Sequence, residues 1–159
     1  MNMIINRTLS SENLEGFDFK ETKRNVSDYF TSLENLEWEW AKLNAQRGLT
    51  TNYDFESEPK RKQSYMQIGK DIFNISAKEL TEEKLNEYIS SFYWAKSVLS
   101  DVEQIYIMEY FINHKYEDEI VDLLGFNNSD SREFKRLKRS AVYKFADFLN
   151  LLVEKKIGK

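Results

Sequence analysis

Between residues 131 and 152 the chain sorts its side chains onto two opposite faces of one helix. No other feature constrains the fold as tightly. With Arg132 as origin and an advance of about 100° per residue, Arg132, Lys135, Arg136, Arg139 and Tyr143 fall within an arc of about 100°. Phe134, Leu137, Ala141, Val142, Phe145, Phe148, Leu149 and Leu152 gather on the other side. Such a helix buries one face against other helices and leaves the basic face in water. Lys138 is the exception. It lies toward the apolar side, where it must snorkel or meet an acid.

The basic face stands out because the rest of the chain is acidic. Residues 131–159 carry nine Lys/Arg and three acids, for +6, whereas the other 130 residues carry 14 basic and 24 acidic groups, for −10. An acidic body with a basic C-terminal element points to one polyanion-facing surface, against the plainer alternative of a solvated Lys/Arg-rich helix.

Composition removes most other classes. The 159 residues suffice for one domain or two small ones with an apolar core, and 41% hydrophobic with 14% aromatic content argues against a disordered chain. No cysteine is present, so disulfides, thiolate catalysis and zinc ribbons are out, and the single histidine, His114, excludes any two-histidine site. The five glycines are scattered and compose no phosphate-cradling loop. A lone proline, Pro59, leaves the rest free to be helical. Apolar runs are too short for a membrane span, and MNMIINRTLSSENLEG lacks the pattern of a signal peptide, so a cytoplasmic protein is expected. No nucleophile–base–orienter set can be assembled, so the chain is not read as an enzyme. No cofactor and no metal are expected.

Along the chain, the first ~18 residues show no firm period and are expected to fray. From about 20 to 46, Val26, Tyr29, Leu33, Leu36, Trp40 and Leu43 recur at three- and four-residue steps. This seam serves either intramolecular packing or a coiled-coil dimer. Residues 50–64 read as a loop in which Asp54, Glu56 and Glu58 are solvated charge, and 65–75 are ambiguous between strand and helix. Ser76 and Glu79 spell a capping box. A helix over about 82–99 follows, with Leu85, Tyr88, Ile89, Phe92, Ala95 and Leu99 as its stripe.

The segment from Leu99 is the most informative. Ser100 and Glu103 form a second capping box, opening a helix over about 100–113 whose apolar residues are Val102, Ile105, Met108 and Ile112, with Phe111 beside them. A short helix over 116–124 carries Ile120, Val121, Leu123 and Leu124, and Gly125 stands where a left-handed residue ends it. Its acids Glu117, Asp118, Glu119 and Asp122 suit a helix start better than a metal. Asp130 and Glu133 then resemble an N-cap pair opening the last helix, over about 130–152. Helix, short helix, glycine-containing turn and basic helix is the order of a helix-turn-helix, whose last helix enters the DNA major groove. His114, at a helix end, suits a capping or solvent role.

Two stretches resemble the ArpU-like regulators of phages and prophages of Gram-positive bacteria, grouped with RinA-like activators of late genes. They are YFTSLENLEWEWAKLNAQ with the TTNYDFE loop, and LSDVEQIYIMEYFINHKYEDEIVDLLGF with SREFKRLKRSAVYKFADFLN. The second is also similar to region 4 of sigma factors. Periodicity and caps already predict an all-α protein; the resemblance implies a bacterial host, with an N-terminal long-helix module (1–98) for dimerisation or polymerase contact and a helix-turn-helix DNA-binding domain (99–159). It implies a transcriptional regulator of late genes for packaging and lysis. Double-stranded promoter or operator DNA, host RNA polymerase and a second copy of the chain are the implied partners. Carried onto this sequence, the recognition helix is about 130–150, and the DNA-facing residues are Ser129, Ser131, Arg132, Lys135, Arg136 and Arg139, with Tyr143 on the same arc. Asp130 caps rather than reads a base. Two alternatives stay open: a small-terminase-like subunit that recognises DNA for packaging, and a helical protein-interaction module without DNA contact.

Overall fold

A computed structural model describes residues 16–46, 71–75 and 79–156. Among these the protein is all-helical, as expected. Five helices run in order: α1 (Phe19–Gln46), α2 (Glu82–Ser97), α3 (Asp101–Ile107, prolonged by a π turn Met108–Ile112), α4 (Glu117–Leu124) and α5 (Arg132–Phe148). No helix of the described residues is long and apolar enough to cross a membrane.

Local chemistry sets most of the boundaries. The Asp18 carboxylate accepts the Glu21 N–H (3.0 Å) at the start of α1, and Thr81 Oγ1 accepts the Lys84 N–H (3.1 Å) at the start of α2. The Ser100–Glu103 capping box opens α3: the Glu103 N–H donates to Ser100 Oγ (3.2 Å) and the Ser100 N–H to Glu103 Oε1 (2.8 Å). Gly125 takes φ 82° and closes α4, with the Phe126 N–H donating to the Val121 carbonyl (3.0 Å). The predicted capping box at Ser76 and the 50–64 loop lie outside the described residues.

One hydrophobic core serves both halves of the chain. Phe30 of α1 stacks on Phe111 of the π turn (5.4 Å between centroids) and on Phe145 of α5 (5.3 Å), and meets Phe92 of α2 edge-on (5.6 Å). The expected boundary at 98/99 is therefore no break in the packing, because residues from both sides of it line the same interior. Leu36 and Trp40 are buried within the single chain. The seam belongs to this core and is not a free coiled-coil face.

Three sequence expectations are corrected. The inner face of α3 is Glu103, Tyr106, Ile107 and Phe111, while Val102 (41%) and Ile105 (39%) face outward. Both sets recur at helical spacing, but the inner one puts the rings of Tyr106 and Phe111 in the core, and aromatic rings bury more area than Val and Ile. The last helix begins at Arg132, capped by Ser131 rather than Asp130, with the Phe134 N–H donating to Ser131 Oγ (3.3 Å). It ends at Phe148, not 152, because Asn150 adopts φ 59° and the Leu151 N–H turns back to the Ala146 carbonyl (2.7 Å).

Residues 16–18 are also held rather than frayed. The Asp18 N–H donates to the Val153 carbonyl (2.7 Å) and the Lys155 N–H to the Gly16 carbonyl (3.0 Å), around an antiparallel bridge between Phe17 and Glu154.

With Trp40 in the interior, Trp40→Ala should lower stability by ~3–5 kcal/mol in urea unfolding. A loss under ~1 kcal/mol would contradict its place in the core.

Candidate nucleic-acid interface

The apolar side of α5 is committed to the core: Phe134, Ala141, Val142, Phe145, Ala146 and Leu149 are buried. This fixes the rotation of the helix and so determines what its other side presents. Arg132, Lys135, Arg136 and Arg139 are all exposed. Among the described residues none of the four enters an ion pair. Arg139 lies over the Phe19 ring, 5.7 Å from its centroid, which restrains the guanidinium while leaving its donors open. Ser129 and Ser131 are half-buried at the head of the helix. The Ser131 oxygen accepts the capping bond, and its hydroxyl hydrogen remains a donor.

The other cations of the helix are absorbed by the fold. Lys138 reaches Glu117 of α4 (3.3 Å) and lies near the Phe134 and Phe19 rings, so the residue on the wrong side of the helix both snorkels and meets an acid. Glu117 also accepts from the Tyr106 hydroxyl (3.2 Å) and pairs with Lys23 of α1 (3.6 Å). The acid read as a helix-start charge thus ties α4 to α1, α3 and α5.

Lys144 donates to Glu103 of α3 (3.2 Å), and the Ser140 hydroxyl donates to the same carboxylate. Burial by itself would raise the Glu103 carboxyl. The bonds from Ser140, the Ser100 N–H and Lys144 outweigh burial and hold it below its ordinary value. Glu103 was legible as a capping residue but not as the acid that locks α3 to α5. That role needs Ser140 and Lys144 one turn apart on a facing helix, a long-range pairing with no local signal.

Tyr143, placed on the basic arc, is corrected. It is 1% exposed, under the Phe17 and Phe19 rings (5.9 and 5.6 Å), and its hydroxyl donates to the Phe17 carbonyl (3.2 Å). The N-terminal segment covers that end of the arc, so Tyr143 cannot reach a ligand on α5. Desolvation raises its phenol above the ordinary value. The exposed stripe therefore runs from Arg132 to Arg139 and stops there.

Among the described residues, no cluster of three or more His, Asp or Glu is arranged to hold a metal ion. The lone His114 is exposed, with φ 55°, where the chain leaves the π turn. Comparison with protein families, curated proteins and solved structures returns no match.

The Glu103 carboxyl sits below its unfolded value of about 4.3. Its stabilisation is complete above that pH and is lost as pH falls through the lower folded value. Glu103→Gln should cost about 1.5–3 kcal/mol at neutral pH and flatten the acid limb of the stability–pH profile. Equal acid sensitivity in the variant and the parent protein would show that the carboxylate does not hold α3 on α5.

Proposed function

We propose that the chain is a sequence-specific regulator of transcription that binds double-stranded DNA, with α5 as the helix that enters the major groove. The observation that carries this reading is the set of four exposed cations, in no ion pair among the described residues, on one side of a helix whose opposite side is locked in the core. Folding does not need them there, and their mutual repulsion is mildly unfavourable, so a polyanion is the natural partner. The other two cations of α5, Lys138 and Lys144, do have acids, which makes the unmatched four a selective feature.

In this reading α3 and α4 form the back of a helix-turn-helix, with a turn over 125–131 that exceeds the usual 3–4 residues. Ser129, Ser131 and Arg132 stand at the head of α5, where base edges are read, and Lys135, Arg136 and Arg139 meet bases or phosphates farther along. The likeness to ArpU-like and RinA-like proteins extends the proposal to late genes of a phage or prophage, acting in the bacterial cytoplasm, with host RNA polymerase as a partner. The burial of Leu36 and Trp40 weighs against the small-terminase-like alternative, which called on that seam as its oligomerisation coil. A dimer would have to use another surface.

The test is a titration of the protein against its own late-promoter DNA at several salt concentrations. Binding should weaken with salt by a log–log slope of about −0.9 per neutralised phosphate. Arg132→Ala and Arg136→Ala should each relax specificity at particular base pairs by ~1–3 kcal/mol. Unchanged affinity after Arg132, Arg136 and Arg139 are all replaced by Ala, in a protein that still folds, would make the stripe a solvated face and end the proposal.

A further inference from the structure

The chain does not run free after α5. Asn150, at φ 59°, reverses its direction, and the returning segment is fastened along its length. The Asn25 side-chain amide donates to the Leu151 carbonyl (3.1 Å), the Val153 N–H donates to Thr22 Oγ1 (3.0 Å), and the bonds around the Phe17–Glu154 bridge secure the next residues. Four hydrogen bonds thus pin a short extended segment to the start of α1. Its distal end carries Lys155 and Lys156, both exposed and, among the described residues, in no ion pair.

This fastening brings the two lysines to the last free cation of α5. Arg139, Lys155 and Lys156 line one open groove of about 780 Å³, floored by Phe17, Phe19 and Val153. The groove also holds three acids, two of which are engaged: Asp18 caps α1 and Glu21 pairs with Arg24 (3.3 Å). Glu154 is exposed beside the lysines.

We propose that residues 151–156 act as a wing, and that Lys155 and Lys156 contact the phosphate backbone of the DNA duplex held on α5. The proposal rests on the DNA-binding reading of that helix and adds a second element to its footprint. An extended segment pinned at its backbone presents its lysines at a fixed offset from the helix, so little ordering is needed on binding. Lysine meets phosphate as a point charge without a base-specific fork, so the wing adds affinity and register but not sequence choice. It takes up the backbone where the α5 stripe stops, at the point where Tyr143 is roofed over by residues 17–19.

The experiment uses the full chain carrying Lys155→Gln and Lys156→Gln, titrated with the promoter duplex and with a scrambled duplex of equal length across a salt series. Both side chains are exposed, so a thermal melt should match that of the unaltered protein. The expected result is weaker binding to both duplexes by the same factor, with a salt slope shallower by about 1.8 for two lost phosphate contacts. An unchanged slope, or a loss confined to the promoter duplex, overturns the wing while leaving α5 as the reader. Absence of salt-dependent binding by the unaltered protein overturns the wing and the DNA-binding reading together.

Discussion

The orientation of α5, and so of its basic face, depends on how Phe30 is packed. Its ring stacks on Phe111 and Phe145 and meets Phe92 edge-on, so one side chain of α1 touches α2, the π turn and α5. Aromatic pairs in these geometries contribute about 0.5–1.5 kcal/mol each beyond the area they bury. They are also directional, and this matters more than their sum. With Phe145 held against Phe30, and Phe134 and Leu149 buried on the same side, α5 has one rotation about its axis, and its arginines have one direction to face.

Two carboxylate clusters, one buried at Glu103 and one half-buried at Glu117, then fix α5 along its length. Glu103 takes Ser140 and Lys144 from the middle of the helix, and Glu117 takes Lys138 from the turn before. Each acid belongs to a different one of the two preceding helices, so α3 and α4 are each tied to α5 by charge as well as by packing. A partly buried ion pair contributes modestly to stability, since desolvation offsets much of the attraction. What it contributes here is register: a slide of α5 by one turn would strand both acids. The acidic body is thus not merely a solvated counterweight to the basic helix, because it supplies the partners that engage Lys138 and Lys144, while the other four cations are in no ion pair among the described residues.

Much of this was legible from local pattern, and what was missed shares one cause. The stripes of α1 and α2, the Ser100–Glu103 box and the Gly125 stop are set by neighbours three or four residues away, and each stands where the pattern put it. Val102 and Ile105 against Tyr106 and Ile107 was a choice between two equally periodic faces. It is decided by Phe30 and by Lys144, more than 30 residues away in either direction. Tyr143 sits on the basic arc by angle alone, and only the return of the chain at Asn150 brings Phe17 and Phe19 over it. The α5 boundaries moved, by two residues at the start and four at the end, because Ser131 outcompeted Asp130 as cap and because asparagine, like glycine, tolerates the left-handed region. For the interface, Arg132, Lys135, Arg136 and Arg139 were legible because exposure is the complement of an unmistakable apolar face. Of the cations withdrawn from it, Lys138 was legible from its angle on the helix, and Lys144 was not, because its acid lies on another helix.

The central claim is that the exposed cations of α5, and not positive charge in general, meet DNA. Lysine reactivity measured by mass spectrometry with and without duplex DNA tests it most directly, since exposed lysines occur on several helices. Lys135 on α5 should be strongly protected by the duplex, whereas Lys42 on α1 and Lys84 on α2, which are also exposed in the free protein, should keep their reactivity. Equal protection of all three, or an unprotected Lys135 with DNA bound, would contradict the account.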